Sequence, residues 1–209
     1  PTPVKKCALS HGITVCQPAT LRNDEEIEKM HGFAPDAVVV VAYGKIIPPA
    51  MLTVAPFGYI NVHASLLPKY RGAAPIQWAI VNGDRITGVT TMLLNEGMDT
   101  GDILESASTQ IGESETAGEL FDRLSAMGAE LIVSTLEKLE KGKLNPVKQN
   151  ECEATSAPII NKEMALIDFE KDAHSVCCLV RGFNPWPVAY TMLRGKRFKV
   201  YGARPSDIK

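Results

Sequence analysis

This chain of 209 residues has no long apolar run, no Cys-x-x-Cys motif and none of several short catalytic signatures. The longest apolar run, residues 37–43, is far shorter than the roughly 18 residues of a membrane-spanning helix, which excludes such a helix. The five cysteines show no Cys-x-x-Cys spacing, which favours free thiols in a reducing compartment over disulfides or a zinc ribbon. Because His-Glu-x-x-His and Gly-x-Ser-x-Gly are also absent, we expect neither a zinc protease site nor a serine nucleophile elbow.

Charge is unevenly distributed along the chain. The formal net charge is only −2, but residues 1–161 carry 13 basic against 19 acidic residues. Residues 162–209 reverse this balance, with 9 basic against 5 acidic residues. A basic end on an acidic body can steer a polyanion towards it, and the alternative is an ordinary solvated surface.

Strand and helix patterns alternate along the first two thirds of the sequence. Residues 36–44 form a continuous β-branched run, which predicts a strand buried on both faces. Further strands are predicted at residues 12–17, 59–63, 88–94 and 102–106, and helices at 22–31, 74–81, 114–139 and 173–181. The order predicts an α/β fold, a Rossmann-like open and mostly parallel sheet with helices on both faces. Such sheets bind ligands at the carboxyl ends of their strands.

Composition divides the chain into three segments. Residues 1–142 hold the predicted sheet, and residues 143–161, with Pro146 and Pro158, are typical of a linker. In residues 162–209, two short strands flank Arg194-Gly195, which indicates a hairpin. This pattern is typical of the start of a small β-domain.

Asn61 and His63 are the strongest catalytic candidates. They lie two residues apart on a predicted strand, so both side chains point to one face near its carboxyl end. An amide can stabilise an oxyanion, and an imidazole can accept or return a proton. Asp99 follows another predicted strand, and we expect it at the same sheet edge as a partner for His63.

Several alternatives stay open on spacing alone. His63 can be an ordinary structural histidine, and the acidic, glycine-punctuated loop that contains Asp99 can be a simple turn. Ser65 is a conceivable nucleophile but lacks the elbow sequence. His63, Asp99 and Asp102 can be imagined as metal ligands, although no metal-binding spacing supports them.

Two dense stretches resemble the folate-dependent formyltransferase family. They are NVHASLLPKYRG at residues 61–72, and GVT followed by MDTGDIL at residues 88–104. Residues 156–163 and the FNPWP sequence at 183–187 most resemble the members that act on methionyl-tRNA. The resemblance runs from about residue 3 to residue 201. It implies that the small C-terminal domain is an OB-like β-barrel, and that the chain is an internal fragment that lacks the first β-α-β portion and the remainder of the barrel.

The resemblance implies transfer of formyl from 10-formyltetrahydrofolate to the α-amino group of methionine on initiator tRNA, without a metal. By matched position, Asn61 and His63 would stabilise the oxyanion and relay the amine proton, and Asp99 would hold His63. Ile46 and Ile47 would cover the faces of the pterin, and the Leu67–Pro68 bond is expected to be cis. The folate-contacting positions implied in this way are Tyr43, Gly44, Lys45, Ile46, Ile47, Ser65, Leu66, Leu67, Pro68, Asn95 and Glu96.

The substrate tRNA is expected to meet basic residues. Arg71 would lie near the entrance of the site, with a surface salt bridge as the equal alternative. Arg194, Lys196 and Arg197 would contact tRNA phosphates. We expect a monomer with no membrane partner in a bacterial cytoplasm, with an organellar location left open. The rival functions are formylation of an amino-sugar nucleotide or other small amine, and non-catalytic binding of folate or tRNA.

Overall fold

The computed structural model describes residues 1–206, so residues 207–209 of the third predicted segment lie outside the described residues. The α-helices of the described part are α1 (Pro3–Ser10), α2 (Asp24–Phe33), α3 (Pro49–Leu52), α4 (Pro75–Val81), α5 (Ala117–Glu140) and α6 (Ala173–Gly182). Its strands are β1 (Val38–Val41), β2 (Tyr59–His63), β3 (Arg71–Gly72), β4 (Ile86–Leu93), β5 (Ile103–Gln110), β6 (Ser156–Ala157), β7 (Tyr190–Leu193) and β8 (Lys196–Lys199). Two short 3-10 helices span Glu151–Glu153 and Glu163–Ala165.

The main sheet has the order β1-β2-β4-β5. Strands β1 and β2 pair in parallel, with Val38 opposite Tyr59. The β2–β4 and β4–β5 pairs are antiparallel, with His63 opposite Thr90. The predicted α/β class is confirmed, and parallel pairing within the described sheet is confined to β1 and β2.

Helices cover both faces of this sheet, as predicted. Val62 packs with Val89 against α4 and α5, whereas Tyr59 packs with Met51 of α3 in a separate cluster. Tyr59 and Val62 are three positions apart on one strand, so they point to opposite faces. Helix α5 begins at a capping box. The Thr116 side chain accepts from the Glu119 N–H, and the Glu119 carboxylate accepts from the Thr116 N–H.

Two of the predicted strands differ from the structure. Residues 12–17 form no strand, because the segment lies exposed and pairs with no other strand among the described residues. The strand predicted at residues 36–44 shortens to β1, and it is not buried on both faces. Val39 and Val41 are 41% and 61% exposed, since helices α2 and α3 pack against the opposite face only.

The segment predicted as a linker lies against the sheet. Val147 pairs with Ile103, and β6 pairs in parallel with β3. Beyond it, α6 packs on α4, where Phe183 meets Trp78 edge to face at 6.4 Å. The division into three segments stays a prediction.

The C-terminal segment contains the expected hairpin. Strands β7 and β8 pair antiparallel around Arg194 and Gly195, whose φ angles of 49° and 75° suit a tight hairpin turn. Within residues 1–206 these strands form a two-stranded sheet and no closed barrel.

Among residues 1–206, none of the helices combines the length and the apolar character that a membrane crossing requires.

Candidate active site

Asn61 and His63 lie side by side on one face of β2. His63 is 5% exposed, and Asn61 is half-buried. The Asn61 side-chain amide makes no hydrogen bond with another side chain or backbone group of residues 1–206. An amide donor and an imidazole are therefore presented together, as the spacing predicts.

The hydrogen bonds of His63 indicate its tautomer. Its Nε2 lies 2.9 Å from the Tyr70 carbonyl oxygen, and a carbonyl oxygen only accepts. Nε2 must therefore carry the hydrogen, which leaves Nδ1 of the neutral ring as the proton acceptor. Tyr70 is itself held by its hydroxyl, which donates to Asp84 at 2.9 Å. Burial raises the pKa of the Tyr70 phenol to about 12, so it stays neutral.

Asp99 reaches His63 by a route that differs from the expected one. Strand β4 runs antiparallel to β2, so it ends beside Ile60, at the opposite edge from His63. Asp99 nevertheless lies beside His63, where it was expected, although β4 itself ends at the other edge. The loop folds back over the sheet and places Asp99 Oδ2 3.6 Å from His63 Nδ1. This ion-pair distance lets the carboxylate stabilise a protonated imidazole.

Two glycines make this placement possible. The Gly72 N–H donates to Asp99 Oδ2 at 2.8 Å, and Gly72 has φ 121°. A Cβ at Gly72 would lie 2.7 Å from the Ala157 carbonyl oxygen. A Cβ at Gly101 would overlap the Leu93 carbonyl oxygen. Larger residues at either position would displace the carboxylate or its loop.

The turn after β2 is bonded tightly to β4. Thr90 Oγ1 donates to the Ser65 carbonyl at 2.7 Å and accepts from the Leu67 N–H at 3.2 Å. The Ser65 hydroxyl is fully buried and donates to the Lys69 carbonyl at 2.6 Å, so the turn employs it structurally. The Leu67–Pro68 bond is cis, as the resemblance implies.

Most of the other predicted folate positions are at least partly exposed. Ile46 is 78% exposed, whereas Ile47 packs in the cluster of Met51 and Tyr59. The Lys45 ammonium donates to the Ala19 carbonyl at 2.8 Å, and Ala19 and Lys45 belong to the lining of one open cleft. Tyr43, Gly44, Asn95 and Glu96 are at least partly exposed, and Leu66 and Pro68 are half-buried. Their folate contacts stay predictions.

Arg71 forms the salt bridge that was its alternative role. Its guanidinium makes two hydrogen bonds of 2.8 Å to the Glu151 carboxylate. Its Nε donates at 3.0 Å to Gln149 Oε1, and the side chain is 12% exposed. A contact between Arg71 and substrate stays a prediction.

Sequence reasoning missed the groups that hold the site together. These are the Tyr70 carbonyl, the Gly72 N–H and the Gln149 side chain. The basic turn of residues 69–72 is a signal for the first two, but no motif marks Gln149.

The basic residues predicted to meet tRNA are exposed on the hairpin. Arg194 lies in the turn, Lys196 follows it, and the Arg197 guanidinium lies 4.0 Å above the Tyr190 ring. Asp102 bonds to Leu93 through its backbone carbonyl. Among residues 1–206, no group of three or more His, Cys, Asp and Glu residues is arranged to hold a metal ion.

Family models match both parts of the chain. The model for formyl transferase matches residues 1–136, and that for the formyl transferase C-terminal domain matches residues 159–209. A methionyl-tRNA formyltransferase of Agathobacter rectalis is 52% identical over 99% of this chain and 66% of its own length. The chain spans 63–66% of the length of the first curated relatives it matches.

Solved structures share the fold. HypX from Aquifex aeolicus, solved with tetrahydrofolic acid, has a TM-score of 0.73 and 23% identity, covering 87% of this chain and 32% of HypX. A sugar N-formyltransferase from a Shewanella species has a TM-score of 0.77 and 20% identity, covering 96% of this chain and 81% of that protein. Sequence, fold and the match over residues 1–136 agree: this chain belongs to the formyl transferase family.

Proposed function

We propose that this protein transfers the formyl group of 10-formyltetrahydrofolate to the α-amino group of methionyl initiator tRNA. The observation that carries the proposal is the buried His63, which faces the Asp99 carboxylate with Nδ1 and the Tyr70 carbonyl with Nε2. A binding module has no need of such an oriented proton acceptor. The identity to curated methionyl-tRNA formyltransferases supports the choice of acceptor.

The reaction begins with attack of the neutral amine nitrogen on the formyl carbon. The carbon–nitrogen bond forms, and the formyl oxygen becomes an oxyanion. The Asn61 amide, on the same strand face as His63, donates a hydrogen bond to this oxygen.

Proton transfer completes the reaction. His63 Nδ1 accepts the proton that the attacking nitrogen releases, and the Asp99 carboxylate 3.6 Å away stabilises the imidazolium. The oxyanion then re-forms the carbonyl while the bond from the formyl carbon to N10 breaks, and the proton passes from His63 to N10. The cluster thus supplies an oxyanion donor and a proton relay, and the substrates supply the remaining groups.

The fold also supports places for both substrates. The folate would lie beside the turn of residues 65–68 and the exposed loops that contain Ile46 and Asn95. The tRNA would meet the basic hairpin of Arg194, Lys196 and Arg197. We propose that the protein acts as a monomer in the cytoplasm.

The test is formyl transfer from 10-formyltetrahydrofolate to methionyl initiator tRNA, by the protein and by its His63→Ala variant. We expect transfer by the protein and a loss of at least about 100-fold in the variant, because the general base is gone. His31→Ala is the matched control, since His31 is exposed on α2, and it should retain full activity.

The acceptor and the residue are tested separately. Transfer to an amino-sugar nucleotide, with none to methionyl-tRNA, would overturn the acceptor and keep the reaction. Folate binding without transfer to any amine would leave a binding module. Undiminished activity of the His63→Ala variant would remove His63 from the mechanism.

A further inference from the structure

Gln149 is a buried side chain that contacts the Asp99 loop from a distant part of the sequence. It lies in the segment after α5 and is 9% exposed. Its amide nitrogen donates to the Asp99 carbonyl and to the Gly101 carbonyl, both at 2.8 Å. Its amide oxygen accepts from Arg71 Nε at 3.0 Å. Both N–H donors and the oxygen acceptor of this amide are therefore hydrogen-bonded.

The loop that Gln149 contacts has an unusual backbone conformation at Asp99. Asp99 adopts φ 54°, a left-handed conformation that residues other than glycine rarely occupy. Within the loop, Asn95 Oδ1 accepts from the Gly97 N–H and the Thr100 hydroxyl, but these bonds lie before Asp99 or beside it. Gln149 bonds to the backbone carbonyls of Asp99 and Gly101. These two bonds resist a backbone flip that would turn the Asp99 carboxylate away from His63.

Gln149 is itself anchored at both ends. Two residues before it, Val147 pairs with Ile103 of β5, and two residues after it, Glu151 binds Arg71 through two hydrogen bonds. Arg71 belongs to β3, whose next residue, Gly72, donates to the Asp99 carboxylate. Gln149 thus contacts the Asp99 carbonyl and Gly72 contacts the Asp99 carboxylate, and Arg71 links these two residues to each other.

We propose that Gln149 is the positioning residue for Asp99. It holds the backbone of the Asp99 loop so that the carboxylate faces His63 Nδ1, and it acts on the chemistry only through Asp99. This inference rests on the proposed function, in which Asp99 stabilises the protonated imidazole. A side chain that merely stabilises the fold would affect thermal stability and leave the His63–Asp99 pair unchanged.

The test compares Gln149→Ala and Gln149→Glu with the neighbouring control Asn150→Ala. Glu keeps the size and the acceptor for Arg71 but loses both donors to the loop. Among residues 1–206, the Asn150 side chain bonds only within its own turn, to the Cys152 N–H and the Glu153 carboxylate. For both Gln149 variants we expect kcat to fall about 10- to 100-fold with KM for both substrates within about twofold, because a small displacement of a catalytic group is costly. Asn150→Ala should match the unaltered protein.

Two further measurements separate positioning from stability. The ¹⁵N signals of the His63 ring should move in the Gln149 variants towards their positions in Asp99→Asn, and should not move in Asn150→Ala. In the Asp99→Asn background, adding Gln149→Ala should cost no more than about twofold further in kcat, since coupled groups are not additive.

The outcomes keep the two proposals distinct. Unchanged kcat and unmoved His63 signals in Gln149→Glu would overturn the positioning role, as would a full additional loss in the Asp99→Asn background. Failure of the unaltered protein to formylate methionyl-tRNA would overturn the proposed function instead. The ring signals need no turnover, so they would still decide whether Gln149 orients Asp99. If Gln149→Ala does not fold, Gln149→Glu carries the test.

Discussion

The neighbourhood of His63 and the β7–β8 hairpin hold their polar side chains in opposite ways. His63 is 5% exposed, and both of its ring nitrogens face fixed partners from separate parts of the chain. Arg194, Lys196 and Lys199 are exposed, and Arg197 alone of the hairpin's basic residues is held over a ring. The first region fixes the position of its polar side chains, whereas the second presents exposed positive charge. Substitutions in the first should change rates, and those in the second should change salt-dependent affinity.

The largest effect is expected from Asn61→Ala. Removal of one oxyanion donor typically lowers kcat about 100- to 1,000-fold, because the developing charge loses a preorganised hydrogen bond. Folate affinity should change little, since the donor acts mainly in the transition state. Single-turnover formyl transfer and equilibrium folate binding measure the two quantities.

The control for this substitution is Asn145→Ala, an exposed asparagine after α5. It should leave both quantities unchanged. A near-normal rate in Asn61→Ala would show that Asn61 has no catalytic role, although it lies on the same strand face as His63. It would also contradict the expectation that substitutions near His63 change rates.

A smaller effect is expected from replacing Arg194, Lys196 and Lys199 with Gln. Arg197 is left in place because it packs on Tyr190. If these charges meet phosphates, tRNA affinity should fall about 10-fold, and the salt slope should drop by about 0.7–0.9 for each phosphate that is no longer neutralised. The rate for saturating tRNA should stay unchanged. Binding across a range of salt concentrations measures the slope.

A matched variant replaces three exposed lysines elsewhere, Lys141, Lys143 and Lys148, with Gln. It removes the same charge but should keep the affinity and the slope nearly unchanged. Equal losses in the two variants would assign the hairpin's effect to net charge and not to its place in the fold.

The smallest effect concerns the ion pair of Glu115 and Arg123, which belongs to neither region. Burial opposes ionisation of Glu115, but hydrogen bonds from Arg123 and the Gly112 N–H outweigh it and hold its pKa below the usual value. A lowered pKa in the folded state contributes stability above the unfolded value of about 4.3, and this stability is lost as the pH falls through the folded value. Glu115→Gln should cost about 1 kcal/mol of unfolding free energy at pH 7 and little near pH 2.

Denaturant unfolding at the two pH values measures this difference, with Glu113→Gln as the exposed control. A cost that persists at acid pH would trace the contribution to packing and not to the charge. Either result shows how much the paired charge of Glu115 contributes to the unfolding free energy, for comparison with the exposed charges of the hairpin.

Local sequence patterns predicted the elements whose partners lie close by. The β2 bounds agree with residues 59–63, and the Arg194-Gly195 turn joins two strands. The prediction was wrong for residues 12–17, where strand-forming residues find no neighbour to pair with among the described residues. Burial of β1 was also predicted wrongly, because a β-branched run does not reveal which of its faces another element will cover.

The sequence by itself determined which chemical groups β2 presents, since alternation along a strand puts Asn61 and His63 on one face whatever surrounds them. Only the tertiary structure decided how the imidazole is oriented. Asp99 reaches it by folding back from the far end of an antiparallel strand, and the groups that hold Asp99, Gly72 and Gln149, lie 27 and 50 residues away along the chain. No local period encodes such contacts, because they arise when separate segments compete for the same buried hydrogen-bonding groups.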